Sequence, residues 1–215
     1  MVTFRRNARE RNRAGTEGRI LEATGRLLAR RGFASFGINA VAREARVDKV
    51  LIYRYWGGLD GLMAAYGRTS NFWPPTEETL PSAESDSGER AVAGLKALLR
   101  GVRARPLTQE ILRWELVEHN ALTDHLADVR EQRGLEALAR LGVLEKGRGD
   151  VDVAAVAALL TAGIIHLVLR AKTAPAWLGV PLRGTDGWAR IEGAIEAIVK
   201  GMLNAAPKST RRRKS

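Results

Sequence analysis

The chain has 215 residues, of which 45% are hydrophobic, so it is long enough for one large domain or two small domains with a buried core. It contains no cysteine, which excludes disulfide bonds and thiolate metal sites and fits a reducing cytoplasm. The formal net charge of +11 is unevenly placed, because residues 1–70 carry 14 Lys and Arg against 6 Asp and Glu, whereas residues 71–206 carry 16 against 18. Basic ends on a near-neutral body favour a polyanionic partner, and the polar, Arg-rich start is not that of a signal peptide.

The first predicted element is a helix preceded by a basic arm. Residues 1–15 are rich in arginine and are expected to be disordered. Thr16 is a suitable N-cap, and Gly32 is a suitable stop after about Arg31. Between these two positions, apolar residues recur at the spacing of one helical face. They are Ile20, Ala23, Leu27 and Leu28.

Residues 37–62 are predicted to form two short helices, about 38–45 and 49–56, joined by a tight turn and followed by a further helix. Ala42 is small where the second helix must cross closely, and Ile52 lies where a side chain fills the space between the helices. Asp48 is expected to cap the second helix. This helix presents Lys49, Tyr53 and Arg54, whose donors suit phosphates and base edges. The pattern predicts a helix-turn-helix DNA-binding domain over residues 16–66.

After residue 66 the sequence predicts a second, wholly helical domain over residues 67–206. Residues 71–89 are rich in Pro, Ser and acidic side chains, which indicates a domain boundary. No later segment alternates apolar and polar residues, so we expect an all-α protein. The predicted helices are about 88–103, 108–120, 122–141, 151–173 and 186–203. Residues 207–215 are expected to be a disordered basic tail.

The last two predicted helices indicate a subunit interface. Residues 153–169 are apolar on nearly all sides, although this run is short for a bilayer span and contains His166. The final helix also has a broad apolar face. Either both helices are buried within a monomer, or they pair two subunits. We favour a homodimer, because two-fold symmetry would place two recognition helices on one face of double-stranded DNA.

The motif resembles the TetR family of one-component transcriptional regulators. The resemblance is carried by the run from Ala42 to Val47 (AREARV), the run from Asp48 to Trp56 (DKVLIYRYW) and Leu62. It implies a dimeric regulator, most often a repressor, with N-terminal DNA-binding domains and C-terminal ligand-binding domains. In that family, helices eight and nine usually form the dimer interface. A small-molecule effector typically moves the DNA-binding domains apart and releases DNA.

The resemblance also assigns DNA contacts. Asn39 matches a position that reaches a base or phosphate, and Tyr53 and Tyr55 match positions that hold phosphates. Lys49 and Arg54 are expected to read bases, and Leu51 to touch a thymine methyl group. The implied set is Asn39, Lys49, Val50, Leu51, Tyr53, Arg54 and Tyr55.

Three residues depart from the family pattern. Gly37 replaces a capping Thr, Arg46 replaces the turn Gly and must take a positive φ, and Leu59 replaces a common Lys. The Arg-rich arm is a candidate replacement for the phosphate contact that Leu59 does not supply.

Other functions have weaker support. Trp114, His119, His166 and Arg170 are the candidates for an effector pocket between about residues 88 and 173, and the pocket is expected to be mostly apolar. The histidines lack the spacing of a strong metal motif, so we expect no metal, and no cofactor is implied. The sequence contains no catalytic motif, which argues against an enzyme. The alternative is an architectural or non-specific DNA-binding protein without an effector.

Overall fold

The computed structural model describes residues 2–33, 36–69, 72–75, 86–141 and 151–204. Within these ranges the chain forms nine α-helices and one antiparallel pair of two-residue strands. The first four helices are α1 (Val2–Arg31), α2 (Ile38–Ala45), α3 (Lys49–Trp56) and α4 (Leu59–Gly67). They are followed by α5 (Ser87–Arg103), α6 (Pro106–Glu115), α7 (Ala121–Leu141) and α8 (Val153–Arg170). Strands β1 (Ala176–Trp177) and β2 (Val180–Pro181) precede α9 (Asp186–Asn204).

The chain divides into two compact units. One combines Met1–Trp73 with Arg105–Gln132, and the other combines Pro74–Ala104 with Arg133–Ser215. In the first unit α1 packs against α2, α4 and α6. In the second unit α5 packs against α8 and α9. The predicted basic tail, residues 207–215, lies outside the described residues.

Helix α1 is longer than the sequence analysis expected. It begins at Val2, so the expected disordered arm before Thr16 is replaced by helix. Thr16 is not an N-cap: its hydroxyl donates to the Asn12 carbonyl at 2.8 Å, one turn back along the same helix. Arg, Glu and Ala are good helix formers, and the Arg13–Glu17 ion pair at 2.7 Å joins successive turns. These local preferences explain why the helix begins before Thr16.

The core of the first unit is the apolar contact between α1, α2, α3 and α4. Its fully buried members include Ile20, Val41, Ile52 and Leu62. Ala42 and Ala45 are also buried, so α3 can approach α2 closely, as their small side chains predicted. Because burial of one such aliphatic side chain contributes about 1.5–3 kcal/mol, this cluster fixes the relative position of the three short helices.

Helix α6 belongs to the same unit and closes the C-terminal end of α1. It begins at Pro106, a favourable first position in a helix, and ends at Glu115, inside the predicted span of 108–120. The Trp114 indole Nε1 donates to the Ala29 carbonyl at 3.4 Å, and the Phe33 backbone N–H donates to Glu118 Oε2 at 2.9 Å. The Thr108 hydroxyl donates to the Phe72 carbonyl at 2.7 Å.

In the second unit, ion pairs and aromatic contacts join α5 to α9. Lys96 Nζ lies 2.7 Å from Glu196 Oε2, and Arg100 makes a two-pronged contact with Glu192, with distances of 3.0 and 2.8 Å. The Arg103 guanidinium stacks 4.3 Å from the ring centroid of Trp188. These contacts orient α9 along α5.

A tight β-hairpin separates α8 from α9, and the sequence analysis did not expect it. Leu178 and Gly179 form the turn, with φ of 46° and 74°. Two successive positive φ values are typical of a two-residue hairpin turn, for which Gly179 is the sequence signal. Two-residue strands are too short to show alternation, which is why the periodicity test missed them.

Helix α8 is apolar but mostly uncovered within the single chain. It is the one helix in the described ranges that is long and apolar enough to cross a membrane by length and composition, and only 17% of its residues are buried. One such helix is weak evidence for a membrane span. The residues that the structure describes therefore leave much of its apolar surface exposed.

Candidate DNA-binding surface

The turn between α2 and α3 is closed by backbone contacts and one strained residue. Arg46 adopts the left-handed conformation, with φ 55° and ψ 50°, as predicted from its place in the motif. The Val47 N–H donates to the Ala42 carbonyl at 3.0 Å. Asp48 then caps α3, because its Oδ1 accepts from the Val50 N–H at 2.9 Å. The turn therefore fixes the direction in which α3 leaves α2.

Helix α3 has one buried face and one exposed face. Ile52 is fully buried, and Leu51 and Tyr55 are partly buried against the core. Lys49 and Arg54 are exposed, as are Val50 at 58% and Tyr53 at 53%. The packing of Ile52 therefore determines that the hydrogen-bond donors of Lys49, Tyr53 and Arg54 face outward.

An open groove of about 660 Å³ lies beside the start of α3. Its basic members are Arg43, Arg46 and Lys49, and its acidic member is Asp48, which is engaged as the helix cap. The remaining lining residues are Asn39, Ala42 and Val47. The structure thus brings Asn39 and Lys49 to one surface and adds Arg43 and Arg46, which the sequence analysis did not place among the contacts. The position of Arg43 four residues after Asn39, on the same helical face, is the signal for its inclusion.

Tyr55 lies between two arginines from different helices. The guanidinium of Arg13 in α1 lies 5.0 Å from the ring centroid, and that of Arg54 lies 5.3 Å from it. The Trp56 ring meets Tyr55 edge-on, with 5.6 Å between centroids. These contacts hold the ring at the C-terminal end of α3 and add positive charge beside it.

The orientation of α2 is supported by ion pairs with α1. Glu44 in α2 lies 2.6 Å from Arg30 and 3.3 Å from Arg26. The hydrogen bond from Arg30 holds the pKa of Glu44 below its ordinary value, so this carboxylate is ionised at neutral pH. The pairs leave Arg43, on the same helix, outside this cluster and at the groove.

The junction between α3 and α4 depends on a close backbone approach. A Cβ atom on Gly61 would lie only 1.9 Å from the Trp56 carbonyl oxygen. Only glycine permits this contact, which sets the angle at which α4 follows the recognition helix. Leu59, at the start of α4, is partly buried.

The four candidate effector residues lie in two different units. Trp114 and His119 belong to the first unit, where Trp114 packs at the end of α1 and His119 is exposed. His166 and Arg170 belong to the second unit and share a contact with the hairpin. The Trp177 ring centroid lies 5.2 Å from that of His166 and 5.0 Å from the Arg170 guanidinium. Their part in effector binding stays a prediction.

Similarity to known proteins agrees with this geometry. Residues 20–66 match the family model of bacterial regulatory proteins, tetR family. A search of curated proteins found no match. Among solved structures, a TetR family transcription regulator from Marinobacter aquaeolei VT8 is 19% identical, with a TM-score of 0.65 over 89% of this chain and 97% of that one. The fatty acid degradation regulator FadR from Bacillus halodurans is 16% identical, with a TM-score of 0.64 over 87% and 96% of the two chains. A transcriptional regulator from Rhodococcus sp. Rha1 is 23% identical, with a TM-score of 0.60 over 87% and 95%.

The matched segment runs from the middle of α1 to the end of α4 and includes the capped, outward-facing α3. The protein is therefore a helix-turn-helix DNA-binding regulator by class. Its N-terminal domain is that of the tetR family of bacterial regulatory proteins, matched over residues 20–66. The predicted fold class, all-α with an N-terminal helix-turn-helix domain, is confirmed.

Proposed function

We propose that this protein is a homodimeric, cytoplasmic, non-enzymatic repressor that binds a specific operator and leaves it when a small-molecule effector binds. The observation that carries the proposal is the exposed face of α3, where hydrogen-bond donors point outward from a helix anchored by Ile52 and capped by Asp48. In this proposal residues 16–66 bind DNA, and residues 67–206 bind the effector and dimerise.

The roles of the proposed DNA contacts follow from their exposure. Lys49 and Arg54 are exposed at opposite ends of α3 and are assigned to base edges in the major groove. Tyr53 is exposed and is assigned to phosphate, as are the partly buried Tyr55 and the groove residue Asn39. Val50 and Leu51 supply apolar contacts at the same surface.

The dimer we propose is formed by the uncovered faces of α8 and α9. Both faces consist largely of alanine and glycine, and each includes one large aliphatic side chain: Leu159 is 74% exposed and Ile198 is 48% exposed. Small residues let helix backbones approach closely, so two copies of this pair suit a four-helix contact. The exposed residues of α8 are Ala154, Ala155, Ala158, Leu159, Ala162, Gly163 and His166.

The experiment that tests the proposal is selection of bound duplexes from a random DNA pool by the purified protein at near-physiological salt. A recovered near-palindrome, with half-sites about 34–36 Å apart or slightly more, would support a dimeric site-specific regulator. Binding without enrichment of any sequence would support the architectural alternative. The selected duplex then serves as a probe for ligands that weaken binding. Fatty acids are one set to test, since a structural neighbour is named a fatty acid degradation regulator.

Lys49→Ala and Tyr53→Ala are expected to weaken binding to the selected duplex at least tenfold each, because each removes an exposed donor of α3. Fluorescence anisotropy measures the affinity, and circular dichroism should show unchanged helix content. Arg183→Ala is the control, since Arg183 is exposed in the second unit and should leave affinity unchanged. Normal binding by both α3 variants would mean that this face is not the DNA interface.

A further inference from the structure

Helix α1 begins well before the first of its described side chains that packs on the core. Thr16 is the first buried residue in the described side chains, and residues 12–15 are all exposed. The helix nevertheless continues back to Val2. At 1.5 Å per residue, the segment before Thr16 is about 20 Å long. We call residues 2–15 the α1 extension.

The C-terminal end of the α1 extension lies beside the recognition helix. Arg13, at its C-terminal end, stacks on Tyr55 of α3 at 5.0 Å. Arg13 also donates to Glu17 at 2.7 Å, and this hydrogen bond raises the pKa of the guanidinium above its ordinary value. The paired carboxylate and the Tyr55 ring together fix the direction of α1 at the surface that carries Lys49, Tyr53 and Arg54.

The sequence of the α1 extension is basic with a helical period. Arg9, Arg6 and Arg5 precede Arg13 by four, seven and eight positions, which is the spacing of residues on one helical face. The extension contains five arginines and a single acidic residue, Glu10. A basic sequence with this spacing, in a helix whose Arg13 contacts the proposed recognition helix, matches the charge of a phosphate backbone.

We infer that the α1 extension is a second DNA-binding element, which follows the phosphate backbone of the duplex outside the groove occupied by α3. This inference rests on the proposed function. The ligand is duplex DNA, recognised by its phosphates and not by its bases, so the extension adds affinity and salt dependence without adding sequence preference. Its helical backbone distinguishes it from a flexible basic arm that enters a groove.

The test compares three variants of the full chain on the duplex recovered by selection. Arg5→Gln/Arg6→Gln/Arg9→Gln removes the charges of the extension. Ala8→Pro keeps every charge but breaks the helix. Lys172→Gln/Arg183→Gln/Arg190→Gln removes the same number of charges from exposed positions of the second unit. Thermal unfolding of the first two variants is measured beside the wild type, so that a loss of folding is distinguished from a loss of binding.

The charge variant is expected to lower the slope of log affinity against log salt by about three per protomer, and affinity at 0.1 M salt by roughly tenfold or more. Ala8→Pro should also weaken binding at least threefold, and the second-unit variant should bind like the wild type. None of the three should change the sequence recovered by selection.

Wild-type affinity in the charge variant would overturn the inference. Wild-type affinity in Ala8→Pro would overturn its helical part, because the extension would then bind as a flexible polycation. Failure of the proposed function gives a different result. In that case the wild-type protein shows no sequence preference, and Lys49→Ala has no more effect than its control.

Discussion

Arg46 shows how one residue serves both the turn and the proposed interface. Its left-handed backbone closes the link between α2 and α3, while its side chain lines the groove beside Lys49. A residue with a Cβ atom in this conformation costs about 1 kcal/mol relative to glycine. Arginine is therefore less favourable than glycine for the backbone conformation at position 46, but it places a positive charge at the groove.

Arg46→Gly is expected to be more stable than Arg46→Ala by about 0.5–1 kcal/mol, because alanine keeps the Cβ atom in the left-handed region and glycine does not. Urea unfolding monitored by circular dichroism measures the difference. Both variants should bind the selected duplex more weakly than wild type and to a similar degree, since both lack the guanidinium. Equal stability of the two variants would show that the backbone at this position is unstrained.

Tyr66 is a buried residue whose hydroxyl contributes little to stability. Its ring packs beside Phe72, with 5.7 Å between centroids, and its hydroxyl has no hydrogen-bond partner within the described residues. Burial raises the pKa of this hydroxyl above its ordinary value. A buried polar atom without a hydrogen-bond partner is unfavourable, so the hydroxyl lowers the stability that the apolar ring contact provides.

Tyr66→Phe is expected to leave stability unchanged or raise it by up to about 1 kcal/mol, because it removes a desolvated hydroxyl and keeps the ring. The matched control is Tyr53→Phe, which removes an exposed hydroxyl and should not alter the unfolding midpoint. A clear loss of stability in Tyr66→Phe would indicate that the hydroxyl is hydrogen-bonded in solution.

At the scale of elements, the angle between α3 and α4 depends on Gly61. The other short helices of the motif are positioned by packing against α1. The sequence analysis predicted α2, α3, the Asp48 cap and the buried Ile52, because caps and apolar spacing are local signals. It did not predict that Gly61 touches the Trp56 carbonyl, since a close approach between helices leaves no periodic trace. The same limit applies to Trp114, which was predicted as an effector-pocket residue and whose packing against the end of α1 has no signal in the sequence.

Gly61→Ala is expected to destabilise the protein by about 2 kcal/mol or more, because the new methyl group would overlap the Trp56 carbonyl unless α4 moves. DNA affinity should fall as well, since α4 supports the C-terminal end of α3. Gly15→Ala is the control: it lies in α1 with open space around it and should stabilise the helix by about 0.5–1 kcal/mol. Thermal unfolding of both variants gives the comparison.

Helix ends were less predictable than helix cores. Helix α1 begins at Val2, fourteen residues before the predicted start at Thr16. Arginine-rich sequence is compatible with both helix and disorder, and a stable helix that adjoins it favours its continuing as helix. The helix predicted over residues 151–173 is shorter in the structure, where α8 spans Val153–Arg170. The residues after it lead into the hairpin. In each case the class of element was right where the apolar pattern was strong, and its end was set by contacts that the pattern does not contain.

At the scale of the whole molecule, the exposed apolar face of α8 is the main feature that a single chain does not explain. Only 17% of its residues are buried within the described part of the chain, although α8 and α9 both pack against α5. The Lys96–Glu196 and Arg100–Glu192 pairs hold α9 to α5. Exposed small residues on two helices that share one support are a suitable surface for a second copy.

Leu159→Glu is expected to convert the proposed dimer to monomer, because it places a charge in the centre of the α8 face. Analytical ultracentrifugation at micromolar concentration measures the change, and affinity for the selected duplex should fall with it. Leu116→Glu is the control, since Leu116 is also exposed but lies in the first unit. A dimer that survives Leu159→Glu would place the subunit contact elsewhere.

The packing of α6 on α1 has a consequence for protein engineering. Ala29, Phe33 and Phe72 each form a hydrogen bond with a residue between positions 105 and 132, so the first unit is assembled from two separate stretches of chain. The DNA-binding part therefore cannot be isolated by cutting the chain after residue 73 and fusing it to another dimerisation domain. A chimera that keeps its DNA-binding properties must carry residues 105–132 with it, and the sensor grafted onto it must accept them.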